Sequence, residues 1–364
     1  MEIIVPGGAG MLGHDPAAAV DVTVVVVTWE QRDLVLACLR SLSRQSIAHR
    51  VLVVDNASTD GTAEQVAAHF PQARILRQSS NLGFAGGVIA AMDVVNTRFV
   101  ALLNNDAQAD PRWLEVSLVA LGHPSVVAVT AKLLLAEPVA SGEPGSRDAA
   151  TVTAAIVSAP TINNAGVVLL ASGYGADRGL GSPDDEQFAS PVEVFGFSGG
   201  AVVMRTLAAK AVGGFDAGYF MYYEDTDLSW RLRLAGWRIV YAPDAVVHHI
   251  HAASSDTRSE MFAFHNERNR LLMLLADAPL GFAASRIARF ALTTASLAGK
   301  GLIGRAVPDD HVFRPDLRLR VLASLMSRLP MTLRKRRSVP RNRHRAEVLH
   351  EWVGVTDRPL DQVG

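Results

Sequence analysis

The sequence predicts an α/β protein built on a mainly parallel sheet with helices on both faces. Three observations carry that prediction. The run "DVTVVVVTW" (21–29) is continuously apolar and β-branched, as a strand buried on both faces should be. Further short apolar runs then alternate with helical patterns at βαβ spacing. The polar residues Thr28, Asp55, Asn56, Asn104 and Asp106 each fall at or just past the C-terminal end of a predicted strand. In open α/β sheets ligands bind along that edge.

The elements follow in order. After the first strand, Leu34, Leu36, Cys38, Leu39 and Leu42 give a helical pattern. "RVLVVDNASTDGT" (50–62) is a strand ending in a polar turn and a helix start, and "ARILR" (73–77) is a third strand. "NLGFAGGVIAAMDVV" (81–95) is a glycine-rich turn that opens a helix, followed by a strand in "RFVALLNNDA" (98–107) and another in "SVVAVTA" (125–131). Residues 136–150 are rich in Pro, Gly, Ser and Ala and read as a loop or insertion. Strand-like runs at 152–157 and 167–170 lead to "FGFSGGAVVMRT" (195–206). "FMYYEDTDLSWRLRLAGW" (220–237) joins an aromatic cluster to three acids at a helix start, and "WRIVYAPDAVVHHIH" (237–251) follows. Acids in a first helical turn suit free N–H groups and the helix dipole, so capping alone could account for them.

Composition is that of a globular chain: 364 residues, 49% hydrophobic, 35 basic against 36 acidic. The single cysteine, Cys38, excludes an internal disulfide framework, fits a reducing compartment and reads as core filler. The near-neutral total hides an asymmetry: residues 281–364 hold 16 Lys and Arg against 7 Asp and Glu. A basic tail on an acidic body implies an anionic partner for the tail. No stretch reads as a spanning helix or a secretory signal. The predicted location is therefore cytoplasmic, with peripheral contact on the inner face of the cell membrane.

Gly8-Ala9-Gly10-Met11-Leu12-Gly13 is a formal G-x-G-x-x-G. A dinucleotide site needs a helix to begin at those glycines, so that its N-terminus faces the pyrophosphate. Asp15-Pro16 follows at once and a strand begins near Val22, which leaves no room for that helix. A flexible leader over 1–20 is the expectation, and an NAD-dependent oxidoreductase is the weaker rival.

Taken together, "VVDNASTDGT", "NLGFAGG", "LLNNDA", "FSGGAVVMR" and "FMYYEDTDLSWR" resemble, in order and spacing, a family 2 glycosyltransferase with the GT-A fold. The wording of "NLGFAGG", "LLNND" and "EDTDLSWR" is closest to the bacterial rhamnosyltransferase-like branch. The resemblance covers roughly residues 20–275. It implies a glycosyltransferase domain over 21–280, with a nucleotide-binding half at about 21–135, an acceptor half at about 151–280 and a helical basic extension over 281–364. It implies an inverting transfer of a sugar, rhamnose being the candidate, from a dTDP- or UDP-sugar to a cell-envelope glycan or polyprenyl-linked acceptor. Thr28, Asp55, Asn56, Asn81, Gly83, Gly86, Asn104 and Asp106 would serve the donor. Gly199, Gly200, Glu224, Asp227, Trp230 and Arg231 would lie on the acceptor side.

Asp225, at the second position of the "ED" pair, matches the family's general base, which takes the acceptor hydroxyl proton. Clustering with Glu224 and Asp227 should raise the pKa of at least one member. The family's D-x-D metal motif departs here, since Asn104 replaces its first acid. Asp106 remains as the carboxylate for Mg²⁺ or Mn²⁺, with His249 at the matching imidazole position and His248 and His251 as rivals. That departure leaves a non-catalytic sugar-nucleotide-binding module as a second rival.

The apolar residues Leu317, Val321, Leu322, Leu325 and Leu329 repeat at helical spacing, and residues 334–345 add seven basic side chains without an acid. A basic amphipathic helix at an anionic membrane surface is the expectation; a helix packed on the body is the alternative. Nucleic acid is not an expected partner, because the body is acidic and the tail lacks interleaved aromatics.

Overall fold

The computed structural model describes residues 2–4, 20–141, 151–155, 160–250 and 258–360. In chain order the first half comprises β1 (Glu2–Ile4), β2 (Val22–Thr28), α1 (Arg32–Leu42), β3 (Arg50–Asp55), α2 (Thr62–His69), β4 (Arg74–Arg77), α3 (Gly83–Val94), β5 (Phe99–Leu103), β6 (Ala107–Ala109), α4 (Trp113–Ala120) and β7 (Val126–Leu135). There follow β8 (Glu137–Ser141), β9 (Thr151–Ala155), β10 (Ile162–Asn164), β11 (Val167–Leu169), β12 (Gly175–Asp177), β13 (Val192–Glu193), β14 (Ala201–Arg205), α5 (Thr206–Ala211), α6 (Glu224–Leu234) and β15 (Arg238–His249). The chain closes with α7 (Glu260–Asp277), α8 (Leu280–Leu302), α9 (Pro315–Ser338), α10 (Arg345–Trp352) and β16 (Arg358–Pro359).

One large sheet runs β1-β4-β3-β2-β5-β14-β7-β15-β13-β16, with β10 on β7 and β6 on β15. Strands β4, β3, β2 and β5 are parallel, as the β-branched runs predict. Then β14 enters antiparallel to both β5 and β7, while β7 and β15 pair in parallel. The sheet is therefore mixed, and its parallel character is strongest in the half that carries Thr28 and Asp55. Helices cover both faces. Leu39 and Leu42 of α1, Val66 of α2 and Trp113 of α4 fill one core, while Val88 and Met92 of α3 and Leu228 and Leu232 of α6 fill the other.

Two expectations change. The loop expected over 136–150 begins as a strand, because β8 and β9 pair antiparallel; residues 142–150 lie outside the described part. Of the leader expected over 1–20, residues 2–4 pair antiparallel with β4, where the strand closes an open edge. The glycine motif at 8–13 lies outside the described residues.

The apolar stripe of α9 points inward. Leu317, Val321 and Leu325 are buried against Leu271 and Leu275 of α7 and Phe290 of α8. Burying these three side chains contributes roughly 5–9 kcal/mol as an upper estimate. The helix expected at a membrane surface thus packs that stripe on the body. Several basic residues expected to face lipid are also engaged within the protein. Arg336 donates to the carbonyls of Leu275, Ala276 and Ala278 at the end of α7. Arg345 donates to Ala276 and Arg336, and Lys335 reaches Asp216 and Asp227 at 2.7 Å. Arg336 and Arg345 satisfy carbonyls left open at helix C-termini and complement the helix dipole, while Lys335 pairs with carboxylates. No helix among the described residues is long and apolar enough to cross a membrane.

Candidate active site

A cavity of about 850 Å³ opens at the C-terminal edge of the parallel strands. The donor-half residues Thr28, Asn56, Asn81, Gly83 and Asn104 line it, and Gly199, Gly200, Glu224 and Asp225 face it from the other half. The ladder between β5 and β14 brings the halves together, and Asn104 N–H donates to the Gly200 carbonyl at 2.9 Å.

The donor edge is rigidly tied. Asn81 Oδ1 accepts from Gly83 N–H at 2.8 Å, and Asn56 Nδ2 donates to the Gly83 carbonyl at 3.0 Å. Gly83 has φ +71°, and a Cβ there would lie 2.3 Å from the Phe220 carbonyl oxygen, so glycine is required. The Oδ1 of Asn56 is buried without a protein hydrogen-bond partner. Asp55 is fully buried at the end of β3, where it accepts from Ser58 N–H at 3.0 Å and lies 3.4 Å from Arg77; it does not line the cavity. Nor does Gly86, which sits inside α3 where a Cβ would meet Leu82 at 2.6 Å. Gly86 serves helix packing.

The acidic cluster divides into three environments. Every residue of α6 is buried except Asp225. Its Oδ2 accepts from Gly199 N–H at 2.9 Å and its Oδ1 from Thr226 N–H at 2.6 Å. Burial raises its pKa above the ordinary carboxylate value, and these hydrogen bonds moderate the rise. Burial, and next the charge of Asp225, push Glu224 well above the ordinary value, and its Oε2 has no hydrogen-bond partner. Asp227 behaves oppositely. Burial disfavours its charge, but Arg231 and Lys335 outweigh that cost and hold its pKa below the ordinary range. None of the three caps α6 through its side chain; the N-cap is Tyr223, with a left-handed backbone.

Asp227, Trp230 and Arg231, expected on the acceptor side, belong to the core instead. Arg231 Nε donates to Asp227 Oδ2 at 2.9 Å and Tyr219 OH to Asp227 Oδ1 at 2.8 Å. Trp230 packs edge-on to Phe195 at 5.5 Å between centroids. On a helix buried all round, period 3.6 places these residues away from the cavity that Asp225 reaches.

Asp106 and His249 meet at 3.0 Å between Oδ1 and Nε2. His249 Nδ1 lies 2.8 Å from Asn163 Oδ1, while the Asn104 amide nitrogen lies 3.3 Å from His249 Nε2. The ring is thus held at both nitrogens, by Asn163 at Nδ1 and by Asp106 and Asn104 at Nε2. An imidazole beside a carboxylate and fixed through its other nitrogen is the usual arrangement for a metal ligand. Neither residue is among those that line the cavity, although Asn104, which lies against the ring, is. Among the described residues no third His, Cys, Asp or Glu joins them, so the pair would supply two ligands of an Mg²⁺ or Mn²⁺ shell. His248 turns instead to Asp110 at 3.3 Å, and His251 lies outside the described residues.

Residues beyond the motif pattern also build the site. Phe220, Tyr222 and Tyr223 have φ of +66°, +67° and +70°, uncommon for bulky residues. Asn269, buried in α7, donates through Nδ2 to the carbonyls of Tyr219, Met221 and Tyr222 at 3.0, 2.8 and 2.7 Å. Arg268 donates to Gly218 and Tyr219. From the donor side, Ala85 N–H donates to the Phe220 carbonyl at 3.0 Å. The loop that delivers Asp225 is thus fastened to both halves. A polar "ERNR" run (267–270) within an apolar helix was the sequence signal for this clamp.

Two family models match the chain: glycosyl transferase family 2 over residues 23–136 and glycosyl transferase family group 2 over 147–273. The chain belongs to the family 2 glycosyltransferases. Within them this glycosyltransferase is of the rhamnosyltransferase-like branch. It is 29% identical over 248 residues to the N-acetylglucosaminyl-diphospho-decaprenol L-rhamnosyltransferase of Mycobacterium tuberculosis, covering 64% of this chain and 76% of the relative. It is 48% identical over 62 residues to the rhamnosyltransferase WbbL of Escherichia coli K12, covering 17% of this chain and 23% of that one. Among solved structures, GalNAc-T7 with UDP, GalNAc and Mn²⁺ superposes with a TM-score of 0.57 at 11% identity, over 90% of this chain and 59% of the other. That likeness establishes the GT-A fold. Family membership removes the oxidoreductase and the non-catalytic module as readings of the site.

Proposed function

We propose that this glycosyltransferase inverts the anomeric carbon as it moves a sugar, L-rhamnose being the candidate, from a dTDP- or UDP-sugar to a polyprenyl diphosphate-linked glycan of the cell envelope. The observation that carries the reading is Asp225. It alone of α6 keeps partial exposure while still largely desolvated, and it faces a cavity whose opposite wall carries Thr28, Asn56 and Asn81. An acceptor hydroxyl placed against Asp225 attacks the anomeric carbon as the bond to the diphosphate breaks. The hydroxyl proton passes to the carboxylate, and the nucleoside diphosphate leaves. A carboxylate whose pKa is raised by burial is a better proton acceptor than a solvated one, while Gly199 and Thr226 fix its orientation. Asp106 and His249 would hold Mg²⁺ or Mn²⁺, which when bound offsets the negative charge developing on the leaving diphosphate. The sugar and the lipid-linked acceptor follow from what the mycobacterial relative is named for. The reading places the enzyme at the cytoplasmic face of the membrane, where such an acceptor would be met.

A nucleotide-sugar panel read by thermal shift with and without Mn²⁺ identifies the donor, and NMR of the product reads the anomeric configuration. Asp225→Asn is expected to leave donor affinity within about twofold and to lower turnover at least about 10²-fold. A retained anomeric configuration, or a loss confined to donor binding, would overturn the assignment.

A further inference from the structure

We propose that the solvent face of α8 is a docking surface for an anionic lipid bilayer. The helix has two opposed apolar faces. Ala283, Phe290, Thr294 and Leu297 are buried on the side packed against α7 and α9. Ala284, Ala288, Leu292, Ala295, Gly299 and Leu302 are all exposed, and at 3.6 residues per turn they form one stripe on the opposite side. Leu292 is 72% exposed, Leu302 88% and the adjoining Ile303 67%. A helix that only covered the body would present polar residues there.

The charges around the stripe choose the occupant. Residues 278–308 contain Arg286, Arg289, Lys300 and Arg305 and no acid, and the exposed Asp309 and Asp310 follow only in the loop after the helix. Arg289, Lys300 and Arg305 are exposed, and the first two lie along one flank of the stripe. An apolar strip edged by cations and free of carboxylates matches an anionic bilayer: the apolar residues enter the acyl boundary and the cations meet lipid phosphates. No described helix can span the bilayer, so α8 lies along it. The inner side of the helix reaches the cavity wall. Arg286 packs beside Gly173, whose neighbour Tyr174 lines the cavity wall. A protein seated on the outer face of α8 would hold the cavity wall about one helix diameter, roughly 10 Å, from the lipid surface. The purpose of this docking rests on the proposed lipid-linked acceptor, whereas the docking itself does not.

The test is flotation of the full-length protein with vesicles of phosphatidylglycerol and phosphatidylcholine, paired with a transfer assay on a water-soluble acceptor. The wild type is expected to float in about 0.1 M salt and to be released as salt rises or as phosphatidylglycerol is omitted. The Leu292→Glu/Leu302→Glu double variant should lose at least about tenfold in partition, since each buried leucine is worth about that factor. Arg289→Glu should lose about fivefold or more, the effect of one cation near an anionic leaflet. All these variants should keep soluble-acceptor transfer within about twofold. If the wild type stays in the soluble fraction, or the leucine variant floats as well as wild type, the proposal fails. It also fails if light scattering shows a wild-type dimer that the leucine variant dissolves, because a second copy then covers the stripe. Loss of transfer by wild type with intact flotation would instead refute the acceptor reading and leave the docking surface standing.

Discussion

Asn269→Ala tests whether the strained loop before α6 holds Asp225, the proposed base, in place. The side chain makes three hydrogen bonds to backbone carbonyls of 219–222. The two N–H groups of Nδ2 are shared among the three carbonyls, so at about 1 kcal/mol net per proton the clamp contributes roughly 2 kcal/mol. The three left-handed residues it restrains store about 1 kcal/mol or more apiece, a similar sum. Removing the clamp lets the loop relax, and Tyr223, the N-cap of α6, relaxes with it. If about 2 kcal/mol of that strain is released, the catalytic arrangement becomes some 30-fold rarer. The expected result is a fall in kcat of about 10- to 100-fold, with donor affinity from calorimetry changed much less. Asn269→Asp should be worse, since a carboxylate would face three carbonyl oxygens with no proton to donate. A variant that loses several degrees in Tm but keeps kcat within about twofold would refute the reasoning. Asn269 would then stabilise the fold without positioning Asp225.

Glu224→Gln should alter how stability depends on pH. Burial raises the folded pKa of Glu224, so the native state holds a proton that the unfolded chain has released, and stability declines as pH climbs from the unfolded value of about 4.5 towards the folded one. The amide removes that slope, so Tm should gain most at the alkaline end of a pH 5–8 series; an unchanged slope would show that Glu224 ionises freely. Asn163→Ala should weaken Mn²⁺ binding about tenfold, read by electron paramagnetic resonance without turnover, and Asp106→Ala should abolish it. A truncation before α9 should leave a protease-sensitive, poorly folded body, because it uncovers α7 and removes Lys335 from buried Asp227; limited proteolysis and circular dichroism would show it. Retention of a cooperative Tm near the full-length value would contradict this.

The strands were legible because each is a short, self-contained apolar run, and the ligand edge because Thr28, Asp55 and Asn104 end three of them. Asp225, singled out in the sequence by its match to the "ED" pair, does line the cavity. What local pattern could not convey was direction. Leu317, Val321 and Leu325 look the same whether they meet lipid or α7, and only the partner surface at Leu271 and Leu275 decides. Asp227 resembles Asp225 in the sequence, yet the Lys335 that pairs with it lies 108 residues away. The clamp at Asn269 likewise joins a loop to a helix 47–50 residues downstream. Such contacts depend on tertiary packing rather than on periodicity.

The strand β14 has a consequence for anyone who would recombine this enzyme with its relatives. The linker-like composition around 136–150 invites a cut between the donor and acceptor halves. Yet β14, from the second half, is threaded between β5 and β7 of the first, with register fixed on both sides. A grafted acceptor half must therefore restore two ladders at once, and a mismatch of one residue would turn Val202 and Val203 to the wrong faces. Grafts limited to the rim at 170–180 leave those ladders untouched, whereas an exchange of 219–223 must keep the carbonyls that Asn269 holds. New acceptor preference should be reached by exchanging loops rather than halves.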